Sequence, residues 1–224
     1  MSDKIIKELT VPGPRGRRRV NDESGKKAIL RHSLSFFARY GYKGTSLRAL
    51  AAEAGVDMAM IGKSFGSKSA LWQANVKQIL LHLEELRPVL KELGVMATTS
   101  PREAMIQFLE HFTEFSLEYP ELLKFMLGEV TETGDRQNTI ISEILQPFRE
   151  QSLPIIRQAM QAGYVKGDDP DIVLGMIFAS ISLPIVSPIM FLNREIPASE
   201  LRDVMVNKAI ELFVASYQEN IKVT

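Results

Sequence analysis

Residues 45–61 read TSLRALAAEAGVDMAMI, a pattern that predicts two short helices joined by a tight turn. The small side chains of Ala51 and Ala54 let the two helices approach closely, and Gly55 supplies the turn. Asp57 can cap the second helix by accepting hydrogen bonds from its first backbone N–H groups. This is the spacing of a helix-turn-helix, in which a scaffold helix precedes a recognition helix for the DNA major groove. A plain helical hairpin is the alternative.

Charge is divided unevenly between the part of the chain that holds this pattern and the rest. Residues 1–72 contain 14 Lys+Arg and 6 Asp+Glu, whereas residues 73–224 contain 13 and 21, so a net charge of zero hides +8 and −8. A basic region joined to an acidic body indicates that the basic region meets a polyanion. Because four of the cations lie between Arg15 and Arg19, a solvated basic tail is the alternative.

Helical periodicity dominates the chain on both sides of the pattern. Residues 1–22, where Gly and Pro interrupt the arginines, are predicted to form a flexible basic tail. From Ser24, apolar residues recur every three or four positions as far as Gly41, and a long helix begins at Ser67. Helices are predicted at about 67–94, 101–118, 120–132, 137–163, 169–192 and 198–220. The predicted fold class is all-α with about nine helices: a three-helix helix-turn-helix domain over residues 23–72 and a C-terminal helical domain over residues 73–224.

One uncharged segment, residues 172–192, is long enough to cross a bilayer. Pro184 and Pro188 interrupt it, and its acidic and mixed flanks give no basic anchor, so burial in protein is favoured over a membrane. A second copy of the chain is the expected cover. Prolines inside predicted helices are also expected to kink them, at Pro88, Pro147 and Pro154.

The composition argues against an enzyme. The chain has no cysteine and only three widely spaced histidines, His32, His82 and His111, so neither a metal site nor a cofactor is predicted. No phosphate-binding loop, dinucleotide fingerprint or HExxH motif is present. Residues 1–9 carry both charge signs and no apolar run, which predicts a cytoplasmic protein. A small helical enzyme and a helical adaptor without sequence-specific DNA binding remain as alternatives.

Residues 26–72 resemble the DNA-binding region of the tetracycline-repressor (TetR) family of bacterial transcription regulators. The residues that carry the resemblance are Ala28-Ile29-Leu30, Phe36-Phe37-Ala38-Arg39-Tyr40-Gly41-Tyr42, Thr45-Ser46, Ala51, Ala54-Gly55-Val56, and Phe65-Gly66-Ser67-Lys68 through Leu71. The resemblance implies a ligand-responsive DNA-binding transcriptional regulator, most simply a repressor that a small molecule releases from a palindromic operator.

The resemblance also implies which residues contact DNA, within a helix-turn-helix that spans Ser46 to Phe65. Phosphate contacts are expected from Thr45, Ser46 and Lys68. The recognition helix would present Met58, Ala59, Met60, Lys63 and Ser64, and Arg48 on the scaffold helix would reach the backbone or a base edge. Val56, Ile61 and Phe65 are expected in the core.

The sequence departs from the family pattern at Gly62, where the family usually has an aromatic residue, most often Tyr. A glycine there removes a surface that stacks against the DNA backbone, and it weakens a short helix by about 1 kcal/mol relative to Ala. An unusual operator is therefore expected, and a degenerate, weakly binding domain is the alternative.

The C-terminal domain is expected to bind a ligand and to form a homodimer, because this is its role in the family. The dimer is predicted through helices of about 169–192 and 198–220, packed as a four-helix bundle. Candidate ligand-binding residues are Phe108, His111, Phe112, Phe115, Phe125, Met126, Met160, Met176 and Phe178. No convergent charged group accompanies them, so a small, mainly apolar effector is predicted. An ordinary helical core is the alternative for the aromatic and Met positions.

Overall fold

The computed structural model describes residues 15–191 and 196–215, and the secondary structure in these ranges is helical, with no β-strand. The helices are α1 (Arg15–Gly44), α2 (Leu47–Glu53), α3 (Met58–Phe65), α4 (Lys68–Met96), α5 (Pro101–Glu118), α6 (Pro120–Val130), α7 (Asp135–Ile140), α8 (Gln146–Gln161), α9 (Pro170–Val186), α10 (Pro188–Phe191) and α11 (Ala198–Phe213). A π-helical turn, Ile141–Leu145, makes α7 and α8 continuous, and α10 is a single turn. With α7 and α8 counted as one helix and the single turn α10 left out, the described residues form nine principal helices, which confirms the all-α prediction.

The chain divides into two compact units between Asn75 and Val76. Unit 1 contains α1 to α3 and the beginning of α4, and unit 2 contains the remainder of α4 and α5 to α11. The sequence placed the boundary between residues 72 and 73, on the same helix.

Helix α1 begins earlier than expected. It starts at Arg15, so residues 15–22 are helical, although the sequence assigned them to a flexible tail; residues 1–14 of that tail lie outside the described residues. Arginine is a good helix former, and the cost of one glycine, Gly16, is about 1 kcal/mol, which a thirty-residue helix can absorb. At the other end, Gly41 adopts a φ of 67° and kinks the helix before its last turn.

The core of unit 1 joins all four of its helices. Apolar side chains that are at most 1% exposed come from each helix, namely Ile29, Leu50, Ile61 and Leu71. Two buried polar side chains also connect α1 to α4: Asn75 Nδ2 donates to Ser33 Oγ at 2.8 Å and to the Leu71 carbonyl at 2.9 Å. The buried amide is therefore satisfied, and it fixes the position of α4 along α1.

Unit 2 packs around α5, α8 and α9, which contact one another. Aromatic rings fill much of this core, and Phe108 stacks on Phe112 with 6.2 Å between ring centroids. The π-helical turn precedes Pro147, which has no N–H and therefore cannot donate to the Glu143 carbonyl four residues earlier. Just before it, the Gln146 N–H donates to the carbonyl five residues earlier, that of Ile141. The helix therefore widens where the proline breaks its hydrogen-bond ladder.

The uncharged segment does not form one helix. α9 ends at Val186, and Ser187 leaves the helical region with φ −141° and ψ 65°, because the residue before a proline disfavours the α conformation. Pro184, Pro88 and Pro154 are accommodated inside helices. The ends of the two helices predicted to form the dimer, beyond residues 191 and 215, lie outside the described residues. Among the residues that the structure describes, no helix is long and apolar enough to span a membrane.

Candidate DNA-binding face and ligand cavity

Helix α3 is held at both ends by short-range hydrogen bonds. Asp57 Oδ1 accepts from the Ala59 N–H at 2.7 Å, which caps the N-terminus as the sequence predicted. At the other end the Gly66 N–H donates to the Gly62 carbonyl at 2.8 Å, and Gly66 adopts a φ of 81° that favours glycine. Gly55, with a φ of 66°, makes the turn before Asp57. The eight-residue helix therefore has a fixed start and a fixed end.

One face of α3 points away from unit 1. Ile61 is 1% exposed and anchors the helix, whereas Met58, Ala59, Gly62 and Lys63 are exposed. These four residues occupy positions i, i+1, i+4 and i+5 and therefore lie on a single side of the helix. We call them the α3 face. Of the other candidates, Ser46, which caps α2, and Arg48, which lies within α2, are exposed, and Ser64 is half-buried.

Two candidate DNA contacts are directed at least partly into the protein. Thr45 is buried, its hydroxyl donates to the Gly41 carbonyl at 2.7 Å, and its N–H donates to the same carbonyl at 3.2 Å. This hydroxyl closes the end of α1, so the expected phosphate contact is corrected to a structural role. Met60 is half-buried against Gly25 of α1, where a Cβ atom would lie 2.3 Å from the Met60 sulfur. Met60 therefore packs partly against α1 and keeps part of its side chain exposed, so its contact with DNA stays a prediction.

Lys68 lies at the start of α4 and is held in place by an aromatic ring. Its Nζ atom lies 4.9 Å from the centroid of the Tyr42 ring, and the ammonium donates to the Lys43 carbonyl at 3.3 Å. Tyr42 in turn stacks on Phe37, with 6.0 Å between centroids. Ser67 caps α4 by accepting from the Ala70 N–H at 3.1 Å. The cation at a helix start, which the sequence predicted, is thus pre-positioned by packing.

Gly62 has open space around it. A Cβ atom at this position would meet nothing within 4 Å, and the backbone has the negative φ of an ordinary helix. The missing aromatic side chain is therefore not excluded by packing within unit 1.

Unit 2 contains a cavity of about 260 Å³ between α6, α8 and α9. Its walls are almost wholly apolar and consist of Met126, Leu127, Val130, Leu145, Phe148, Leu174, Gly175 and Phe178, together with the charged pair Arg149 and Asp171. Of the nine candidate ligand residues, Met126 and Phe178 line this cavity. Phe112 and Phe115 line a neighbouring space of about 20 Å³, which also touches Met126 and Phe178.

The other candidates lie elsewhere. Phe108 and Phe125 are buried at 0% and 1% exposure and belong to the core. His111 forms a surface contact with Glu114, with 3.7 Å between Nδ1 and Oε2, and Met176 is 58% exposed. Met160 lies near Gly167, where an added Cβ atom would stand 3.7 Å from the Met160 Cε atom. The sequence could not separate these residues from those that line the cavity, because an apolar helical stripe has the same period whether it faces a core, a cavity or another chain.

The ion pair at the cavity was missed by the sequence analysis, which expected no charged group there. Arg149 Nε donates to Asp171 Oδ1, across 22 residues of sequence. This hydrogen bond, together with the negative charges of Asp171, Glu150 and Asp169, raises the pKa of the Arg149 guanidinium above its ordinary value. Asp169 Oδ1 also caps α9 by accepting from the Asp171 N–H at 2.8 Å. No local pattern links residues 149 and 171, so only the packing of α8 on α9 could show the pair.

Two family models match the chain. Residues 29–74 match the model described as bacterial regulatory proteins, tetR family, and residues 102–219 match the model described as the C-terminal domain of an AefR-like transcriptional repressor. The second match alone covers more than half of the chain. The α3 face and the cavity lie within the two matched regions, respectively.

Similar proteins include a curated transcriptional regulator and several solved regulators. The HTH-type transcriptional regulator RutR of Escherichia coli (strain K12) is 27% identical over 156 residues, which cover 69% of this chain and 71% of RutR. The structure of HlyIIR, a hemolysin II transcriptional regulator, covers 84% of this chain and 97% of its own, with 23% identity and a TM-score of 0.63. AibR in complex with isovaleryl coenzyme A and operator DNA covers 84% and 98%, with 20% identity and a TM-score of 0.64. The two structures, at these identities, show the shared fold.

Proposed function

Because the chain belongs to the TetR family of bacterial regulatory proteins, we propose that it holds a palindromic operator as a homodimer until a small, mainly apolar molecule releases it. Family members are ligand-responsive DNA-binding transcriptional regulators, and this chain is one of them. The helical adaptor that the sequence left open does not fit this membership. We further propose that the chain has no catalytic activity and acts in the cytoplasm, where bacterial DNA lies.

The observation that carries the proposal is the exposed α3 face within a basic unit. Met58 and Ala59 offer apolar contact to thymine methyl groups, and Lys63 supplies a cation. Ser46, Arg48 and Ser64 lie in the same helix-turn-helix and Lys68 starts the next helix, and all four are proposed to contact phosphates or base edges. The net charge of +8 on residues 1–72 adds the sequence-independent attraction to phosphate.

A homodimer is proposed because a palindromic operator needs two recognition helices related by two-fold symmetry. Unit 2 leaves large apolar side chains uncovered on the helices that the sequence assigned to the dimer. Ile172 and Met176, one turn apart on α9, are 61% and 58% exposed, and Leu212 on α11 is 71% exposed. Met205 and Ala209, which also lie on α11, are instead buried within the chain. The interface is therefore proposed to use Leu212 near the C-terminal end of α11, which lies on the same side of the helix as Met205 and Ala209 but is left exposed.

The cavity is proposed as the effector site, because it is lined mainly by apolar side chains, opens to solvent and has room for a small molecule. An effector that binds more tightly to a dimer whose recognition helices no longer fit grooves about 34–36 Å apart would release the operator. The released state is favoured only by the difference in the effector's affinity for the two arrangements.

Selection of bound DNA from a random pool tests the proposal. We expect a palindromic consensus whose half-sites are centred about 10 base pairs apart, or a multiple of that distance. Lys63→Glu, on the α3 face, should abolish enrichment. The matched control, Lys77→Glu, changes an exposed lysine of α4 in unit 2 and should enrich the same sequence. If the unaltered, folded chain enriches no sequence, operator binding is contradicted.

A further inference from the structure

We propose that the effector is a lipophilic cation, whose charged group takes the place of Arg149 beside Asp171 while its apolar part fills the cavity. This inference rests on the proposed role of the cavity as the effector site, and it specifies the charge of the molecule that the site accepts. Arg149 and Asp171 are the ionisable side chains of the cavity wall, and they are 49% and 39% exposed, so both can be reached from solvent.

The charges around Arg149 favour a cation over an anion. Asp171 accepts the hydrogen bond of this guanidinium, Glu150 is the next residue along α8, and Asp169 caps α9 two residues before Asp171, so three carboxylates stand near one cation. An incoming anion would displace Asp171 and leave it among like charges. An incoming cation would displace Arg149, which can then turn toward Asp169 or Glu150, so every charge keeps an opposite neighbour.

The wider surroundings have the same sign. Residues 76–224, which form unit 2, contain 13 Lys+Arg and 21 Asp+Glu, a net charge of −8. A potential of this sign concentrates cations at the surface and repels anions.

The inner wall is suited to the apolar part of such a cation. Phe148 and Phe178 line the cavity, and each ring packs against Phe112, at centroid distances of 5.6 and 5.7 Å. Aromatic faces attract alkylated ammonium groups as well as hydrocarbon, because the ring carries negative charge above its plane. A cationic head near Asp171 and an alkyl or aryl body against these rings would use both features of the site.

The proposal is tested by titrating the full chain, without DNA, with three probes that share an octyl chain. Octyltrimethylammonium, octyl sulfate and 1-octanol differ only in the head group, and calorimetry measures each affinity below the critical micelle concentrations of the two ions and below the solubility limit of the alcohol. We expect the ammonium to bind about tenfold more tightly than the sulfate, with the alcohol between them. Equal affinities, tighter binding of the sulfate, or no binding of the ammonium would overturn the proposal.

Three variants separate the role of Asp171 from general electrostatics. Asp171→Asn should weaken ammonium binding about threefold to tenfold and should not weaken sulfate binding. Arg149→Gln should tighten ammonium binding, since it removes the competing guanidinium, and it keeps the test decisive if Asp171→Asn fails to fold. The control, Glu121→Gln, removes the acidic half of an ion pair with Lys124 that is similarly exposed, and it should change neither affinity. An unchanged ammonium affinity in folded Asp171→Asn, or weaker ammonium binding in Arg149→Gln, would overturn the proposal.

The proposal and the regulatory function fail in different ways. Because the titrations contain no DNA, they do not depend on operator binding. A chain that prefers the ammonium through Asp171 but keeps its operator when the ammonium is bound would contradict the effector role of the cavity and leave the charge preference intact.

Discussion

Unit 1 presents its proposed contact residues outward on α3, whereas unit 2 turns its own inward around a cavity of about 260 Å³. Residues within or next to α3 hold its exposed face in place: Asp57 caps one end, Gly66 closes the other, and the buried Ile61 anchors the middle. The cavity wall instead combines side chains from three helices and the π-helical turn. DNA is a stiff polyanion, so its reader needs a rigid exposed surface, whereas a small molecule needs enclosed space between elements.

The largest effect should be a difference in stability between a substitution in the core of unit 2 and one in its cavity wall. Phe108→Ala removes a ring that is 0% exposed and should lower the free energy of unfolding by about 3–5 kcal/mol. Phe178→Ala removes a half-buried ring of the cavity wall and should cost clearly less while altering the binding of 1-octanol. Urea unfolding and calorimetry measure both. Equal losses of stability would show that the two rings do not divide into core and cavity wall.

The next largest effect should come from a substitution that fills the cavity of unit 2 and leaves unit 1 unchanged. Gly175 lines the cavity, and a Cβ atom there meets nothing within 4 Å, so Gly175→Leu should extend a side chain into open space. It should weaken 1-octanol binding about tenfold, because the leucine excludes roughly two methylene groups of ligand at about 0.8 kcal/mol each. Operator affinity should stay the same, which a titration with labelled DNA measures.

Gly128→Leu is the matched control for this cavity variant. Gly128 is also a helical glycine with open space around its Cβ, but it does not line the cavity. If Gly128→Leu weakens 1-octanol binding as much as Gly175→Leu does, the loss does not come from filling the cavity.

A smaller effect should appear at the edge of the DNA-binding face. Lys68→Ala should weaken binding to operator and random DNA alike and should lower the salt slope of log K by about one unit, since one phosphate contact is lost. Lys77→Ala, an exposed lysine of the same helix but in unit 2, should leave the slope unchanged. Weaker operator binding with unchanged binding to random DNA would assign Lys68 to sequence recognition instead.

The smallest effect should come from Gly62. Gly62→Ala should stabilise α3 by about 0.5–1 kcal/mol and leave the choice of operator unchanged, since open space surrounds the new methyl group. Gly62→Tyr should fold and should raise affinity for DNA in general by restoring an aromatic surface and a phenol donor. Thermal melts and DNA titrations check both variants. Loss of DNA binding in both folded variants would instead mean that the Gly62 backbone approaches DNA closely.

The prediction of unit 1 from sequence succeeded where the signal is local. Asp57 caps α3, Gly55 makes the turn, and Ile61 lies in the core, all as the spacing indicated. It failed for Thr45, because a polar side chain at a helix boundary can turn inward or outward, and the neighbouring helix decides which.

The prediction of the ligand site had a different outcome. Among the aromatic and Met candidates of α5, α6 and α9, Met176 is exposed and most of the others are buried, and only Met126 and Phe178 line the main cavity. Phe148 was missed although it follows Pro147, where a disturbed helix is expected to leave room. A hydrophobic pattern shows that a side chain avoids water, but it does not show whether the neighbouring space is filled.

The sequence by itself determined the helical class, the helix-turn-helix, the basic and acidic halves and the caps that begin and end α3, because these depend on residues a few positions apart. Only the tertiary structure decided that the Thr45 hydroxyl turns inward, that Ile172 and Met176 of α9 stay exposed, and that Arg149 meets Asp171 beside a cavity. Those features depend on how well distant helices fill the space between them, and that fit is a property of packing in three dimensions.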